Sequence, residues 1–248
     1  MMTKLEDLTV KIFADGAEKA GMLEMYAKPY IKGFTTNPTL MRKAGIANYK
    51  AFALEVLTVV PDRPVSFEVF ADEFEEMERQ AMEIATWGSN VNVKIPVSNT
   101  KRRFSGPLIR RLSSAGVKLN ITAVMTLEQV RDIVDCLIGD APAIISVFAG
   151  RIADTGVDPV PIMKDALKLL QSRPKAELLW ASPRELLNIV QANDIGCHII
   201  TATNDILNKL HLLGKDHSQY SLETVEMFFK DATAAGYTIP YQDRPVAT

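Results

Sequence analysis

Eight short apolar runs recur along the chain, at residues 10–14, 33–35, 65–70, 91–95, 118–123, 143–148, 177–181 and 197–201. Most are continuously apolar rather than alternating, the pattern of parallel strands covered on both faces. Segments of helical period lie between them, at 16–27, 49–59, 71–87, 126–138, 159–171, 183–191, 202–213 and 222–235. The 71–87 segment opens on acidic residues, where the helix dipole favours them. The last is expected to start after Ser221 as N-cap and to stop before Gly236. Strand alternating with helix eight times predicts an α/β fold, a single closed (β/α)8 TIM barrel. Residues 1–248 form one domain in this reading, with 221–248 a C-terminal helix and tail. An open doubly wound sheet alternates too, but the chain carries neither GxGxxG nor GxxxxGK[ST]. A length of 248 residues is normal for one such barrel.

Composition narrows the function classes. The formal net charge is −2 with no basic block, which argues against a nucleic-acid partner. No run of 18 apolar residues predicts a membrane span. The N-terminal Met1-Met2-Thr3-Lys4-Leu5-Glu6-Asp7 lacks the apolar core of a signal peptide. Cys136 and Cys197 lie far apart with no CxxC pattern, and His198, His211 and His217 make no metal-ligand spacing. A cytoplasmic protein with no membrane partner, no metal and no cofactor is expected.

In Asn90-Val91-Asn92-Val93-Lys94-Ile95-Pro96-Val97 a lysine sits between β-branched residues near a strand end. A buried ammonium is costly unless paired, so its pKa tends to fall, and a neutral amine forms a Schiff base with a carbonyl. A lysine that snorkels to water is the alternative. In a barrel, function collects at the carboxyl ends of the strands. The polar residues expected there are Asp15, Thr35, Asn37, Glu68, Lys94, Asn120, Thr122, Ser146, Arg151, Ser182 and Arg184, with Phe148 beside them. Buried polar groups need partners, so their convergence points to a site. Each has a plainer reading. Asp15 is equally readable as a helix cap, Thr36-Asn37-Pro38 as a turn, Glu68 as a structural ion-pair partner and the two arginines as surface residues.

The sequence resembles the transaldolase family, specifically its short members, which include fructose-6-phosphate aldolase. The segments that carry the resemblance stand in family order: Phe34-Thr35-Thr36-Asn37-Pro38, Val91-Asn92-Val93-Lys94-Ile95-Pro96, Leu119-Asn120-Ile121-Thr122-Ala123, Ser146-Val147-Phe148-Ala149-Gly150-Arg151-Ile152 and Ala181-Ser182-Pro183-Arg184. The resemblance spans roughly residues 10–235. It implies that Lys94 forms a Schiff base with a ketose and that Asp15 moves the hydroxyl proton during carbon–carbon cleavage. Glu68 and Thr122 would hold a proton-relaying water. Asn37, Asn120, Thr35 and Ser146 would bind the dihydroxyacetone unit, and Arg151, Arg184 and Ser182 the phosphate.

Within the family, Phe148 resembles the transaldolase choice, whereas the aldolases are similar but carry tyrosine there. The expected activity is transfer of a dihydroxyacetone unit between sugar phosphates. A lyase of the fructose-6-phosphate aldolase type is the alternative. The chain departs from the family at Pro183, usually aromatic, and at Val147 and Ala149, where proline and valine are common. A different Schiff-base barrel aldolase would also use a strand lysine, but the Thr-Thr-Asn-Pro and Asn-Ile-Thr segments speak against it. A sugar-phosphate-binding barrel without turnover is the non-enzymatic rival, since fold alone never establishes activity. Val225, Met227, Phe228 and Phe229 on the last helix predict a homo-oligomer, with packing onto the barrel's own rim as the other outlet.

Overall fold

A computed structural model describes residues 4–241. Its eight strands are β1 (Lys11–Asp15), β2 (Ile31–Thr35), β3 (Val65–Glu68), β4 (Val91–Pro96), β5 (Leu119–Val124), β6 (Ala143–Val147), β7 (Ala176–Trp180) and β8 (Ile199–Ala202). All pair in parallel and in sequence order, and β8 closes onto β1. The expected (β/α)8 barrel is therefore the observed one.

The α-helices are α1 (Lys19–Tyr26), α2 (Pro38–Lys43), α3 (Tyr49–Val59), α4 (Phe74–Ala85), α5 (Gly106–Ser114), α6 (Leu127–Cys136), α7 (Ala149–Ala153), α8 (Val160–Leu170), α9 (Leu187–Asp194), α10 (Asn204–Leu207) and α11 (His217–Ala234). The outer face of the barrel meets them through Ile31, Phe34, Val65, Phe67, Val91, Val93, Ile121, Ile145, Leu178 and Trp180, all buried. Both faces of each strand are thus covered, which explains the unbroken apolar runs.

Inside the barrel a second cluster joins Phe13, Ile144, Leu179, Ala181 and Ile199, with Phe148 packed against it. Phe13 faces Gly33 in register, and a Cβ on Gly33 would fall 2.5 Å from the Phe13 ring. The missing side chain on β2 makes room for the aromatic ring that fills the barrel below the polar layer.

Several helical expectations need correction. Helices α2 and α7 are additional short ones, and α9 starts at Leu187 rather than at residue 183. The 202–213 segment holds only α10 and a 3-10 turn at Leu210–Leu212. The β4–β5 connection contains α5, where no element is expected from the sequence. The helix after β1 starts at Lys19 rather than at residue 16. The C-terminal helix starts four residues before Ser221: Asp216 is its N-cap and accepts a hydrogen bond from the Gln219 amide at 2.9 Å. No residue of α11 is buried, and Phe229 is 74% exposed, so this helix does not cover the barrel's rim. The end of the expected tail lies outside the described residues. Among the described residues no helix is long and apolar enough to cross a membrane.

Candidate active site

The carboxyl ends of the strands surround a cavity of about 390 Å³. Lys94 is buried at its edge, with Nζ 3.0 Å from Glu68 Oε2 and donating to the Thr36 carbonyl at 2.8 Å. Desolvating an ammonium costs several kcal/mol unless a partner compensates it. Here the cation is paired, and it does not snorkel to bulk water. Strand register accounts for the pairing. Glu68 faces Lys94 across β3–β4, and Lys94 faces Asn120 across β4–β5. Three functional groups therefore stand on adjacent strands, about 4.8 Å apart.

Asn120 is fixed from both sides. Its amide nitrogen donates to Ser66 Oγ at 3.1 Å, and its Oδ1 accepts from the Ser146 hydroxyl at 2.6 Å. All three side chains are buried. Thr122 and Ala123 also line the cavity. The β5–β6 register shifts between Ile121 and Val124, with Ala123 at φ +62°. Such bulges re-aim side chains next to sites.

Asp15 ends β1, in register with Thr35. Its Oδ1 accepts the Thr35 hydroxyl at 2.7 Å, and its Oδ2 accepts the Asn37 amide at 3.4 Å. Thr35 Oγ1 also lies 2.6 Å from Thr201 Oγ1. A hydroxyl has one proton, so Thr35 gives to Asp15 and accepts from Thr201. Burial pushes the Asp15 carboxyl above its ordinary value, and the Lys94 charge and the Thr35 bond only partly oppose that. Asp15 is not a helix cap, because α1 is preceded by Glu18 at that position. Asn37 has two roles. Its Oδ1 caps α2 at Leu40 N (3.0 Å) while its amide reaches Asp15. The Thr-Asn-Pro segment is thus both a turn and part of the cavity wall.

Phe148, Arg151 and Ser182 line the same cavity, and the Arg151 guanidinium lies 5.5 Å from the Phe148 ring centroid. Arg184 does not join them. Its Nε donates to Asp154 Oδ1 at 2.8 Å, and Nη2 bonds the other carboxylate oxygen. It borders an adjoining depression that shares Asp15, Ser182 and Thr201 with the main cavity. The expected pair of anchoring arginines is therefore split between two hollows. Just before Arg184 the backbone turns left-handed. Ser182 takes φ +57°, and its carbonyl oxygen would lie only 1.5 Å from a Cβ on Gly150. Only glycine at position 150 lets α7 approach this close.

Thr201, Ser66 and Tyr49 carry no mark in the sequence, whereas Thr36 stands in the Thr35-Thr36-Asn37-Pro38 segment. Threonine and serine are ordinary strand residues; Thr36 meets Lys94 through its carbonyl while its hydroxyl donates to the Ser66 carbonyl at 3.0 Å. Tyr49 belongs to a helix. Nothing in their types marks them. His198 turns out to serve the backbone, its Nδ1 accepting from Leu178 N–H at 3.0 Å.

The family model described as Transaldolase/Fructose-6-phosphate aldolase matches residues 12–241. A "Probable transaldolase" from Dehalococcoides mccartyi is 32% identical over 202 residues, covering 81% of this chain and 90% of that protein. A "Probable transaldolase 2" from Listeria monocytogenes is 32% identical over 203 residues, covering 81% and 88%. Among solved structures, dihydrodipicolinate synthase from Rhodopseudomonas palustris superposes with a TM-score of 0.54 at 15% identity, over 94% of this chain and 81% of that one. At that identity the likeness is one of fold.

Proposed function

The chain belongs to the transaldolase/fructose-6-phosphate aldolase family, and we propose that within it the protein is a transaldolase acting on sugar phosphates. The reading rests above all on one observation: a buried lysine amine 3.0 Å from Glu68, in the same cavity as an Asp15 whose carboxyl burial pushes up.

In the proposed reaction, Lys94 Nζ adds to the ketone carbon of a ketose phosphate and water leaves, giving an iminium. Glu68 is placed to take the proton that the ammonium must shed before attack. Asp15 then removes the proton of the C4 hydroxyl, a step suited to a carboxylate whose pKa lies above the usual range. The C3–C4 bond breaks, its electron pair moves onto the iminium as an enamine, and an aldose phosphate departs. The enamine adds to an acceptor aldehyde, Asp15 returns its proton to the new hydroxyl, and water releases the product ketose from Lys94. The hydrogen-bonded Asn120 and Ser146, with Asn37 and Thr35, supply donors and acceptors for the dihydroxyacetone unit, and Thr122 faces the same space. Arg151 on the rim, with Ser182, suits a phosphate. Arg184 reaches a phosphate only if its tail extends into the adjoining depression.

A coupled assay tests the reading. Fructose 6-phosphate with erythrose 4-phosphate is expected to turn over faster than fructose 6-phosphate alone. Equal rates with free dihydroxyacetone as product would make the protein a lyase instead. Phe148 supports transfer, because it offers no hydroxyl to position water for releasing the enamine. Phe148→Tyr is therefore expected to raise the ratio of free dihydroxyacetone to transfer product. An unchanged ratio would remove Phe148 from that role.

We further propose a homo-oligomer, supported by Leu222, Val225, Phe228 and Phe229 standing exposed on α11. Light scattering at micromolar concentration is expected to give a multiple of the 27.4 kDa chain mass. A monomeric mass refutes this.

A further inference from the structure

We propose that Tyr49 is a positioning residue for the reaction: its phenol hydroxyl replaces a missing strand neighbour at Glu68 and thereby holds the Glu68 carboxylate against Lys94. The proposal rests on the imine reading above, and goes beyond it by assigning a residue outside the cavity.

The β2–β3 pairing reaches only from Phe34↔Val65 to Thr35↔Ser66, while β3–β4 continues to Glu68↔Lys94. At Glu68 the strand therefore has a neighbour on one side only. The backbone N–H and C=O of a strand residue point to the same side in a parallel sheet, so on the open side both would lack a partner. Tyr49, the first residue of α3, meets both. The Glu68 N–H donates to Tyr49 Oη at 2.7 Å, and that hydroxyl donates to the Glu68 carbonyl at 3.1 Å. One oxygen acts as acceptor and donor at once, which a neutral phenol can do and a phenolate cannot. Burial raises the Tyr49 pKa far above the ordinary tyrosine range, so the hydroxyl keeps its proton throughout the working pH range.

The ring is itself held. It packs edge-on to Phe67 at 6.0 Å and to Trp87 at 5.5 Å between centroids, and tilted against Phe70 at 4.5 Å. Phe67 and Phe70 bracket Glu68 in the sequence. The aromatic group thus clamps the chain on both sides of Glu68 while the hydroxyl ties the residue itself. The side chain that emerges from this tied residue lies 3.0 Å from Lys94 Nζ. Small misplacements of a reacting pair are costly, with about 1 Å worth up to roughly a hundredfold in rate.

Tyr49→Phe removes the hydroxyl and keeps the ring. It is expected to lower kcat by roughly tenfold or more while the donor KM stays within about threefold, and Lys94 remains trappable by borohydride. The decisive readout is a double-mutant cycle with Glu68→Gln. If Tyr49 acts through Glu68, the double variant loses little beyond Glu68→Gln alone. Placing 4-aminophenylalanine at position 49 restores a para N–H donor to the Glu68 carbonyl but only a weak acceptor, and is expected to recover part of the rate. It also reports on the role should Tyr49→Phe not fold. A Tyr49→Phe enzyme of normal kcat and lowered Tm, or two fully additive losses, would overturn the proposal and leave the imine reading standing. A wild-type enzyme that yields no borohydride adduct on Lys94 would instead bring down the imine reading itself, and the proposal with it.

Discussion

Replacing Lys94 with methionine is expected to abolish sugar turnover, by a factor of about 10⁵ or more, because without the amine no imine forms and the C3–C4 electron pair has nowhere to go. The substitution also strands the carboxylate of Glu68, which lies 3.0 Å from the amine with its side chain 18% exposed. Breaking a buried pair from one side costs about 3–5 kcal/mol, and the partial exposure of Glu68 puts this case at the low end. Lost activity alone would therefore be ambiguous between chemistry and folding. The double variant Lys94→Met/Glu68→Gln separates them. It removes the orphaned charge and is expected to regain most of the lost Tm without any turnover. Fructose 6-phosphate turnover by either variant at more than about 1% of the wild-type rate would end the proposed mechanism.

Asp15→Asn is the second large effect, and it acts in opposite directions on rate and stability. The amide cannot take the C4 proton, so kcat is expected to fall by about 10²- to 10⁴-fold. Lys94 should still be trapped with borohydride and dihydroxyacetone, since imine formation precedes the step that needs Asp15. A full loss of the adduct would assign Asp15 to an earlier step.

The stability effect follows from proton linkage. Folding raises the Asp15 pKa above 3.8, chiefly through burial. The folded state then holds this proton more tightly than the unfolded chain does. Its favourable contribution is present at low pH and is lost as the pH rises through the folded value. Above the unfolded value the raised carboxyl is therefore a net cost to the fold, which the neutral amide removes. Tm at pH 7 is expected to rise. The gain should shrink toward zero near pH 3. A lower Tm at pH 7 would mean that the hydrogen bonds from Thr35 and Asn37 outweigh the burial.

The strands were legible because each is buried on both faces, so apolar runs such as Ala143–Val147 stand out without any alternation. Helix α5 was not. Gly106 and Pro107 open it, and both types read as loop punctuation, although proline is well suited to a first turn. The start of α11 was misplaced because His217, Ser218 and Gln219 carry no apolar period, and the cap that decides it is a single Asp216 carboxylate.

At the site, residues on strands could be placed from the barrel rule alone, and Lys94, Glu68 and Asn120 do share one layer. Arg184 could not be placed, because its direction depends on the left-handed Ser182 and on Asp154, thirty residues earlier in the chain. Tyr49 was invisible for a different reason. Its partners are main-chain atoms, which carry no residue type to read.

The contact between Thr35, Thr201 and Asp15 has a directional consequence. While Asp15 is charged, both hydroxyls must point along one line toward it, Thr201 to Thr35 to Oδ1. When that oxygen takes up a proton it becomes a donor, and the two rotors swing about to face the other way. In the proposed reaction a proton transfer at Asp15 would thereby be felt in the last strand, at the seam where the barrel closes on itself.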